Sequence, residues 1–418
     1  MGVSSSSNRK VAVIGAGAVG MSTAVHLQRD GHDVTVIDRD DPGQGCSFGN
    51  AGLLCPGYVV PLSMPGAAWK VPGWLMDPLG PLSIRWRDFP SLIPWFLRFL
   101  AAGNQDETER SAKGLAALHE NCVRDFKALF DSIGAGDMIV PTGYAYVYET
   151  DKALKMSTGD CEMKEAYGRR FERLSGDAIR EIEPALSEHC VGGIYMPDEG
   201  QVKSPLAVVE ALAEHFVKQG GRILKREVKD IEIGPDGPRK LVLDDGNHDL
   251  DVMVVAAGAW SGKLSARLGS PVPLVGERGY HLTLPNPGVT PKIPLMSGEG
   301  HFAMTPMQMG LRVAGTAEFA SLDAPPNYSR AKVLATGVKR LLPGVETEGS
   351  SEWMGMRPTL PDTLPVIGPS PRFPDTYFAF GHGHAGLMGS VITGRTIADL
   401  VSARTPELDI SLYKADRF

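Results

Sequence analysis

The sequence has few cysteines, and none of them is spaced for a metal site or a redox pair. The 418 residues contain five, at Cys46, Cys55, Cys122, Cys161 and Cys190, with no C-x-x-C pair. An odd and scattered set is typical of a reducing compartment. We therefore expect structural thiols and no metal site.

The sequence also has no excess of positive charge and no apolar run of membrane-spanning length. Asp and Glu number 49 against 42 Lys and Arg, and the net charge of −7 argues against a nucleic-acid partner. Residues 1–10 are polar, so no secretory signal is predicted, and we expect a cytoplasmic protein. The start matches M-G-x-x-x-S, a myristoylation pattern, although a short polar tail explains it equally well.

One tract has an unusual composition. Residues 69–100 contain Trp69, Trp74, Trp86, Trp95, several prolines and an apolar stretch. No single regular element fits this region. We favour an insertion that folds against its own domain, and the alternative is a peripheral contact with the inner face of a membrane.

The strongest pattern in the chain is a strand–helix–strand unit over residues 10–39. An apolar strand is followed by Gly15, Gly17 and Gly20 in G-x-G-x-x-G spacing, then by helix formers and a second strand that ends on Asp38. The glycines permit a tight turn, close approach of a pyrophosphate to the backbone, and packing of the helix on the sheet. An acid at the end of the second strand accepts hydrogen bonds from ribose hydroxyls. The unit therefore predicts a dinucleotide at the helix N-terminus.

Periodicity predicts the elements of the rest of the chain. We expect helices over 106–134, 205–220 and 329–342, and strands over 144–149, 222–225, 228–233, 251–256, 280–284, 302–306 and 311–317. The strand at 251–256, DVMVVA, reads as a buried strand, so the parallel sheet resumes after an insertion of more than one hundred residues. The last three strands predict an antiparallel sheet in a second domain.

A second glycine-rich turn lies near the C-terminus. The predicted strand 377–380 runs into GHGHAG at 381–386, and a long helix follows. A nicotinamide enzyme needs one such turn, whereas a flavin enzyme can use a second helix N-terminus to stabilise negative charge on its reduced ring. The second turn therefore favours a flavin.

With these blocks in view, the chain resembles the FAD-dependent D-amino acid oxidase superfamily, in particular its D-amino acid dehydrogenase branch, and most closely glyphosate oxidoreductase and hydroxy-D-proline dehydrogenases. The matching segments span residues 11–390: VAVIGAGAVG, VIDRDDPGQGCSFGNAG, MPGAAWKVPGWLMDPLGPLSIRW, VVAAGAWS, GERGYHLTL, AMTPMQMGLRVAGTAEFA, WMGMRPTLPDTLPVIG and AFGHGHAGLMG.

The resemblance implies an α/β fold of the D-amino acid oxidase type, in which a Rossmann-like FAD-binding domain accompanies a discontinuous α+β substrate-binding domain. It assigns residues 9–60, 190–270 and 350–412 to the FAD-binding domain. It assigns residues 61–189 and 271–349 to the substrate-binding domain.

The resemblance also implies which residues lie against FAD. Those expected are Gly15, Ala16, Gly17, Ala18, Val19, Gly20, Asp38, Arg39, Ser47, Gly49, Asn50, Ala51, Gly52, Val228, Ala257, Gly258, Gly381, His382, Gly383, His384, Gly386, Leu387 and Met388. Relatives with a C-terminal cysteinyl–flavin link carry a cysteine that this chain lacks after Cys190. We therefore expect non-covalent FAD.

Arg357 is the residue expected to bind the substrate carboxylate. It stands in the G-x-R-P motif that matches the family's carboxylate-binding arginine, and a guanidinium offers a planar two-pronged match to a carboxylate. Further pocket candidates are Tyr58, Tyr280, His281 and His301, although for each histidine a non-catalytic role is at least as well supported. Arg278 and Arg312 compete with Arg357 but are expected to be structural.

The implied activity is oxidation of the Cα–N bond of a small D-amino acid, a D-proline-like imino acid or an N-substituted glycine, by hydride transfer to flavin N5. Oxygen, a quinone or a membrane chain is the expected electron acceptor. Two alternatives stay open: an NAD-dependent dehydrogenase that uses the N-terminal motif alone, and a flavin-binding assembly protein without turnover.

Overall fold

The computed structural model describes residues 8–66, 73, 76, 80 and 82–418. The myristoylation-like start and part of the 69–100 tract, including Trp69 and Trp74, lie outside the described residues.

Four sheets account for the strands in these ranges. The strands are β1 (Lys10–Ile14), β2 (Asp33–Asp38), β3 (Leu53–Leu54), β4 (Leu82–Ile84), β5 (Ile139–Val140), β6 (Tyr144–Tyr148), β7 (Glu172–Ser175), β8 (Gly192–Met196), β9 (Gly200–Val202), β10 (Arg222–Lys225), β11 (Val228–Gly234), β12 (Gly237–Leu243), β13 (Gly246–Asp249), β14 (Val252–Val255), β15 (Val275–Leu284), β16 (Leu295–Ser297), β17 (Ala303–Met307), β18 (Gly310–Phe319), β19 (Ser351–Thr359), β20 (Val366–Pro369) and β21 (Thr376–Phe380).

The described helices are mostly short. They are α1 (Ala18–Arg29), α2 (Phe89–Ala102), α3 (Gln105–His119), α4 (Cys122–Ser132), α5 (Asp151–Met156), α6 (Thr158–Ala166), α7 (Gly176–Ile182), α8 (Pro205–Lys218), α9 (Ser261–Arg267), α10 (Ser329–Leu341) and α11 (Ser390–Val401).

The first sheet is the dinucleotide-binding sheet that the sequence predicts. Its strand order is β10-β2-β1-β14-β21-β20, and every neighbouring pair is parallel except β20 with β21. The inner strands β1 and β14 are almost wholly apolar and buried, because one face of the sheet packs against α1 and α11 and the other against residues of β11 and β12. β14 pairs directly with β1, which confirms that the sheet resumes after the long insertion.

Helix α1 is packed closely against α11. A Cβ on Gly394 of α11 would stand 2.7 Å from the backbone carbon of Ser22 in α1, so only glycine permits this approach. The two helices that follow the two glycine-rich turns therefore lie side by side under the same sheet.

The chain also forms a second large sheet. Its order is β19-β15-β18-β17-β16-β6-β8-β7, and β4 pairs with β18 at one side. The predicted antiparallel pairing of β15, β17 and β18 is present. Smaller sheets, β11-β12-β13 and β3-β9-β5, complete the described fold.

Two strands from the stretches predicted for the FAD-binding domain pair in the second sheet. β8 pairs with β6 and β7, and β19 pairs with β15 along nine residues. Both stretches precede a return to the first sheet along the chain. Sequence alone does not show with which of the two sheets a strand pairs when it lies just before such a return.

The helices also differ from prediction in two places. The predicted helix over 106–134 is two helices, α3 and α4, with a break at Glu120 and Asn121. Helix α2 lies in the tract for which no element was predicted. The sequence does not predict this helix, because Pro90 occupies its first turn and Pro94 lies inside it.

Candidate active site

The first glycine-rich turn forms a tight cradle at the carboxyl end of β1. Gly15 has φ +112°, and a Cβ on it would stand 2.4 Å from the Ala256 carbonyl oxygen. A Cβ on Gly20 would stand 1.9 Å from the Gly15 carbonyl oxygen. Helix α1 then begins with no acidic residue in its first turn and no side-chain cap at Gly17. Its N-terminus therefore keeps the N–H groups and positive dipole end that suit an anion.

Asp38 lies beside this turn at the end of β2. Its Oδ2 accepts a hydrogen bond from the Ala16 N–H at 2.7 Å, and its Oδ1 accepts one from Asp40 N–H at 3.0 Å. The Arg226 N–H donates to the Asp38 carbonyl at 2.7 Å, which brings the start of β11 at Val228 to the same edge.

Three more of the predicted residues meet at this edge. The Arg39 guanidinium lies 4.0 Å from the centre of the Trp260 ring. Ala257 and Gly258 follow β14, and Gly258 has φ +54° at the start of a short 3₁₀ turn. The sheet therefore brings together the β1, β2 and β14 ends that the sequence assigned to a cofactor.

The loop after β2 is fixed by side chains from the second sheet. Arg312 donates to the carbonyls of Phe48 (2.8 Å) and Asn50 (3.1 Å), and His281 Nδ1 lies 3.1 Å from the Gly49 carbonyl. The Asn50 side chain accepts from Gly52 N–H at 2.8 Å. This part of the loop therefore has a defined path between the two sheets.

Ser47 and Gly49 have specific packing roles in the same loop. Ser47 Oγ accepts a hydrogen bond from the Ala18 N–H at 3.0 Å and so joins the loop to α1. A Cβ on Gly49 would stand 1.8 Å from the Trp353 indole, and a Cβ on Gly355 would stand 2.0 Å from it. The indole therefore occupies a slot that two glycines leave open.

The second glycine-rich turn joins both sheets. After β21 the chain forms an isolated bridge between His382 and Thr359 and then a 3₁₀ turn at Gly383–Ala385. Helix α11 begins only at Ser390, whereas the sequence predicted a helix start at Gly386 and Leu387. Residues 386–389 form a further turn between the 3₁₀ turn and α11, so the irregular segment continues as far as the helix start.

The two histidines of this turn face different ways. His382 is buried, its Nε2 lies 2.9 Å from Thr393 Oγ1, and burial lowers its pKa to about 3. His384 lies on the other side, with Nε2 2.8 Å from Glu277 Oε1. Only His384 of the two lines the cavity between the sheets.

That cavity has a volume of about 280 Å³ and lies between the loop at Gly49, the turn at Gly383 and the second sheet. Four of the five predicted substrate residues contribute to its wall: Arg357, Tyr58, Tyr280 and His301. Other side chains in the cavity wall are those of Cys46, Leu53, Tyr144, Tyr146, Met196, Glu199, Glu277, Met296 and Ala303.

Arg357 is held by an acidic residue that the sequence analysis did not single out. Arg357 on β19 is the register partner of Glu277 on β15, and its Nη1 donates to Glu277 Oε1 at 2.8 Å. Glu277 is buried and also accepts from Thr359 Oγ1 at 3.1 Å and contacts His384. Burial opposes its ionisation, but His384 and Arg357 outweigh burial and lower its pKa to about 2. Glu277 is thus an ionised buried carboxylate that orients two cavity side chains.

Glycine 279 explains why Arg357 reaches this position. A Cβ there would stand 2.1 Å from the Arg357 Cζ, so the guanidinium lies directly over Gly279. The GERG sequence therefore supplies both the partner of the arginine and the space for it. An acid inside an otherwise buried strand was the signal that could have identified Glu277.

The other candidate side chains have separate surroundings. Tyr58 is half-buried, its hydroxyl has no partner among the described residues, and burial raises its pKa above the usual range. Tyr280 borders the cavity, but its hydroxyl bonds to Glu318 and to Asn327 N–H on the far side of the sheet. His301 is exposed at the cavity rim with φ +50°.

His281 lies away from the cavity. It stacks on Trp353 with ring centres 5.0 Å apart, and burial lowers its pKa to about 3. Its neutral ring contacts the Gly49 carbonyl, as described above. The structure therefore brings His281 to the loop and not to the space beside Arg357.

The two competing arginines bind backbone carbonyls. Arg278 donates to the carbonyls of Ser321, Ala324 and Pro325 on the face of β15 opposite the cavity. Arg312 holds the loop after β2, and burial lowers its pKa to about 10. Neither lines the cavity between the sheets.

Glu199 is the second acid in the cavity wall that the sequence analysis missed. It is 1% exposed, and its Oε1 accepts from the Gly57 N–H at 2.8 Å. Burial raises its pKa to about 7. The same cavity thus contains two buried carboxyl groups whose acidities differ widely.

No metal centre is found in the described part of the chain, where no group of three or more His, Cys, Asp or Glu could hold an ion. Within the same ranges, no helix is long and apolar enough to cross a membrane.

Comparisons with known proteins agree with this architecture. The family model described as DAO, FAD dependent oxidoreductase, matches residues 10–400. A D-amino-acid oxidase from Bradyrhizobium diazoefficiens is 36% identical over 98% of this chain and 99% of its own length. A D-amino acid dehydrogenase from the same organism is 31% identical over 98% and 99%. Glycine oxidase from Geobacillus kaustophilus superposes with a TM-score of 0.74 at 21% identity, covering 98% of this chain and 99% of that structure.

The first glycine cradle that any Cβ would fill, the start of α1 without a cap from Gly17, and the second turn beside the cavity all fit a bound FAD. The match to the family model extends from the first strand to the last helix, and the fold is the D-amino acid oxidase type that the sequence predicted. The chain belongs to the DAO family of FAD-dependent oxidoreductases.

Proposed function

We propose that this protein oxidises the Cα–N bond of a small D-amino acid, a D-imino acid such as D-proline or hydroxy-D-proline, or an N-substituted glycine. The observation that carries the proposal is the position of Arg357 in a small cavity beside the second glycine-rich turn and the loop at Gly49. Bound FAD supplies the acceptor for the hydride that leaves Cα.

The free edge of Arg357 supports its role as the carboxylate site. A guanidinium has five N–H groups. Nη1 donates to Glu277 and to the Thr316 carbonyl, and Nη2 donates once, to the Gly315 carbonyl. The Nε–H and the second Nη2–H have no partner among the described residues. These two groups form the planar edge that binds a carboxylate through two parallel hydrogen bonds.

The size and lining of the cavity support a small substrate. Its volume of about 280 Å³ lies near the lower limit of ligand pockets, roughly 300 Å³, and it is shared with the flavin ring that residues 49–52 and 383–388 would flank, so the space left for the substrate is small. Leu53, Met196, Met296 and Ala303 provide apolar walls that suit a short aliphatic group or a pyrrolidine ring. With its carboxylate on Arg357, such a substrate is held in one orientation, which is a positioning effect on the rate.

We propose that FAD is bound without a covalent link and along the elements that the two sheets bring together. The cradle at Gly15–Gly20 takes the pyrophosphate, and Asp38 takes the adenosine ribose. Residues 49–52 and 383–388 flank the ring. Support comes from the close glycine packing at the first cradle and from the fixed path of the loop that Arg312 holds.

An anaerobic substrate panel tests the proposed reaction. Purified holoenzyme is mixed with D-alanine, D-proline, hydroxy-D-proline, glycine and N-methylglycine, and bleaching of the flavin band is followed. We expect reduction by at least one of them, with D-proline-like compounds the fastest. L-Proline, α-hydroxy acids and pyrrolidine, which lacks a carboxylate, are the controls.

Three results would contradict the proposal. Reduction by α-hydroxy acids alone, or by pyrrolidine as well as by proline, would exclude recognition through Arg357. Oxidation that requires added NAD would favour the nicotinamide alternative. A bound flavin that no member of the panel reduces would favour a flavin-binding assembly protein without turnover.

We also propose that the protein contacts a membrane surface through α2 and passes electrons to a quinone, with oxygen as the alternative acceptor. Leu92 and Trp95 of α2 pack inward on Phe319, whereas Leu97 is 62% exposed. Ile93, Leu100 and Trp86 are also exposed on this side of the molecule, and Arg87 and Arg98 are exposed beside them. An apolar face with neighbouring cations suits an anionic bilayer surface.

Vesicle co-sedimentation tests this contact. Leu97→Glu should weaken binding to vesicles of phosphatidylglycerol and phosphatidylethanolamine by roughly 10- to 100-fold, because burying one leucine contributes about 1.5–3 kcal/mol. Val217→Glu is the matched control, since Val217 is an exposed apolar residue (51%) on another helix, α8. Equal binding by both variants would exclude α2 as the contact.

A further inference from the structure

Glu199 lies in the wall between two cavities. One is the substrate cavity that contains Arg357, and the other, with a volume of about 410 Å³, lies behind Glu199 and is lined by Arg124, Arg169 and Arg170 among others. The side chains of Arg124 and Arg170 are 64% and 72% exposed, so this second cavity opens to solvent. A single buried carboxyl group thus borders both the reaction space and a route to water.

The hydrogen bonding of Glu199 is incomplete. Its Oε1 accepts from the Gly57 N–H, and the Cys55 thiol forms a further side-chain hydrogen bond with the carboxyl group. Its Oε2 is buried and has no geometric hydrogen-bond partner among the described residues. Glu277, the other acid of the cavity, contacts Arg357, His384 and Thr359. Glu277 is therefore fixed by Arg357, His384 and Thr359, whereas Glu199 keeps one oxygen that can accept a proton.

The groups packed around Glu199 leave its charge largely uncompensated. They come from the segment after β3, from α4, α6 and β6, and from the adjacent turn: Cys55, Cys122, Lys164, Tyr144, Tyr146 and Asp198. Burial raises the pKa values of these thiols and phenols, so they are neutral near pH 7. Lys164 favours ionisation of Glu199 and Asp198 opposes it. Burial dominates and brings the pKa of Glu199 to about 7, whereas that of Glu277 is about 2. Two neighbouring carboxyls with separated acidities mark an acid–base assignment.

We propose that Glu199 is the proton acceptor of the reaction: it takes the proton that the substrate ammonium loses before oxidation and releases it to the second cavity. This inference rests on the proposed function. The step balances as R₂NH₂⁺ plus Glu199-COO⁻ giving R₂NH plus Glu199-COOH, with the N–H electron pair staying on nitrogen. Water in the second cavity then takes the proton and restores the carboxylate. The neutral amine has the lone pair that must assist departure of the Cα hydride.

The need for such a group follows from the acidity of amines. An amine with the pKa of a lysine side chain, about 10.4, is neutral in roughly one molecule in 2,500 at pH 7. A positioned acceptor with a pKa near the working pH typically contributes about 10²- to 10⁴-fold to a rate. Glu199 lines both the substrate cavity and the second cavity, where a proton can be released to water.

The variant Glu199→Gln tests the proposal because an amide oxygen can still accept from Gly57 N–H. The rate of anaerobic flavin reduction at low substrate is measured from pH 6 to pH 10 for wild type and variant. We expect the variant to be slower by about 100-fold or more at pH 7. The difference should narrow to about threefold at pH 10, where much of the amine is already neutral.

A matched control separates this role from a structural one. Glu183→Gln removes a second buried carboxylate that accepts backbone N–H groups, from Ala185 and Lys292, outside the substrate cavity. Its rate relative to wild type should be the same at every pH. If Glu199→Gln shows the same pH-independent ratio, or matches wild type at pH 7, Glu199 is not the proton acceptor.

A second measurement does not depend on turnover. Infrared difference spectra between pH 5.5 and 8.5 should contain a protonated-carboxyl band in the wild-type holoenzyme that is missing in Glu199→Gln. Absence of a Glu199-dependent band would overturn the proposal whatever the substrate. Failure of the proposed function has a different result, because no amino acid would then reduce the wild-type flavin while the band would remain.

Discussion

Replacing Arg357 by alanine should abolish tight substrate binding while FAD stays bound. The side chain contributes two groups of contacts. Its Nη1 and one Nη2 N–H bind Glu277 and the carbonyls of Thr316 and Gly315, and its remaining edge faces the cavity. Alanine removes both, so the variant should change stability as well as substrate affinity, and the two effects must be measured separately.

The loss of substrate binding should lower activity more than the loss of stability does. Removing one partner of a desolvated, charge-assisted pair costs about 2–5 kcal/mol. At about 1.4 kcal/mol per decade, this corresponds to a loss of roughly 30- to several-thousand-fold in kcat/KM. Arg357→Lys should recover only part of it, because an ammonium is a point charge without the two parallel N–H groups.

The stability effect comes from Glu277, which the substitution leaves buried. Breaking a buried ion pair by removing one partner costs about 3–5 kcal/mol. His384 and Thr359 still contact Glu277, and the Arg357 side chain is 20% exposed, so we expect the lower end of this range, about 3 kcal/mol. A lower unfolding midpoint in urea should therefore accompany the affinity loss.

Anaerobic flavin reduction against substrate concentration separates the two effects. FAD content and the flavin spectrum are recorded first, since Arg357 is not placed against the first glycine cradle and both should match wild type. A raised half-saturation with normal FAD content supports the assignment. An unchanged half-saturation in Arg357→Ala would refute it, and the carboxylate site would then have to lie elsewhere in the cavity wall.

Two further predictions concern stability and cofactor binding. The folded-state pKa of Glu199, about 7, is above the ordinary value of 4.5. The stabilisation that protonated Glu199 gives the folded state is therefore complete below pH 4.5 and is lost as pH rises through 7. This shift corresponds to about 3 kcal/mol, so urea unfolding should show Glu199→Gln more stable than wild type at pH 8 and equal to it near pH 4.5; a constant difference would contradict the shift. Gly49→Ala should reduce FAD occupancy, because its Cβ would stand 1.8 Å from the Trp353 indole, whereas Gly45→Ala, with no atom within 4 Å of the new Cβ, should retain it. Equal FAD content in the two glycine variants would show that the loop path does not matter.

The sequence predicted the parts of the fold that depend on local pattern. The unit at residues 10–39 has a strand, three spaced glycines, a helix and a terminal acid, and each of them is present where predicted. The run at 251–256 is apolar enough that only a buried strand suits it, and it lies beside β1. In these segments propensity, periodicity and tertiary burial all favour the same structure.

Helix α2 shows where local pattern is insufficient. Two prolines lower its intrinsic helix propensity, so no helix was predicted in the tract that contains it. Pro90 lies in the first turn, where no intrahelical N–H bond is lost, and the inward residues Leu92 and Trp95 pack on Phe319. Tertiary packing that the sequence does not display outweighs the unfavourable propensity.

The acids of the cavity could not be predicted for a related reason. Arg357 was found because its type and motif suggest a carboxylate site, but its partner depends on the register of β19 against β15, which no local pattern determines. That register sets Glu277 opposite Arg357, and Gly279 gives the guanidinium room. Glu199 lies in the short turn before β9 and reaches the cavity only because β9 pairs with β3 and β5. Sequence identifies single residues with suitable chemistry, whereas the difference in acidity between the two carboxyls arises from burial and from which cations lie beside each one. That difference is a property of the assembled cavity, and it is the reason to assign carboxylate recognition to the Arg357 side and proton acceptance to Glu199.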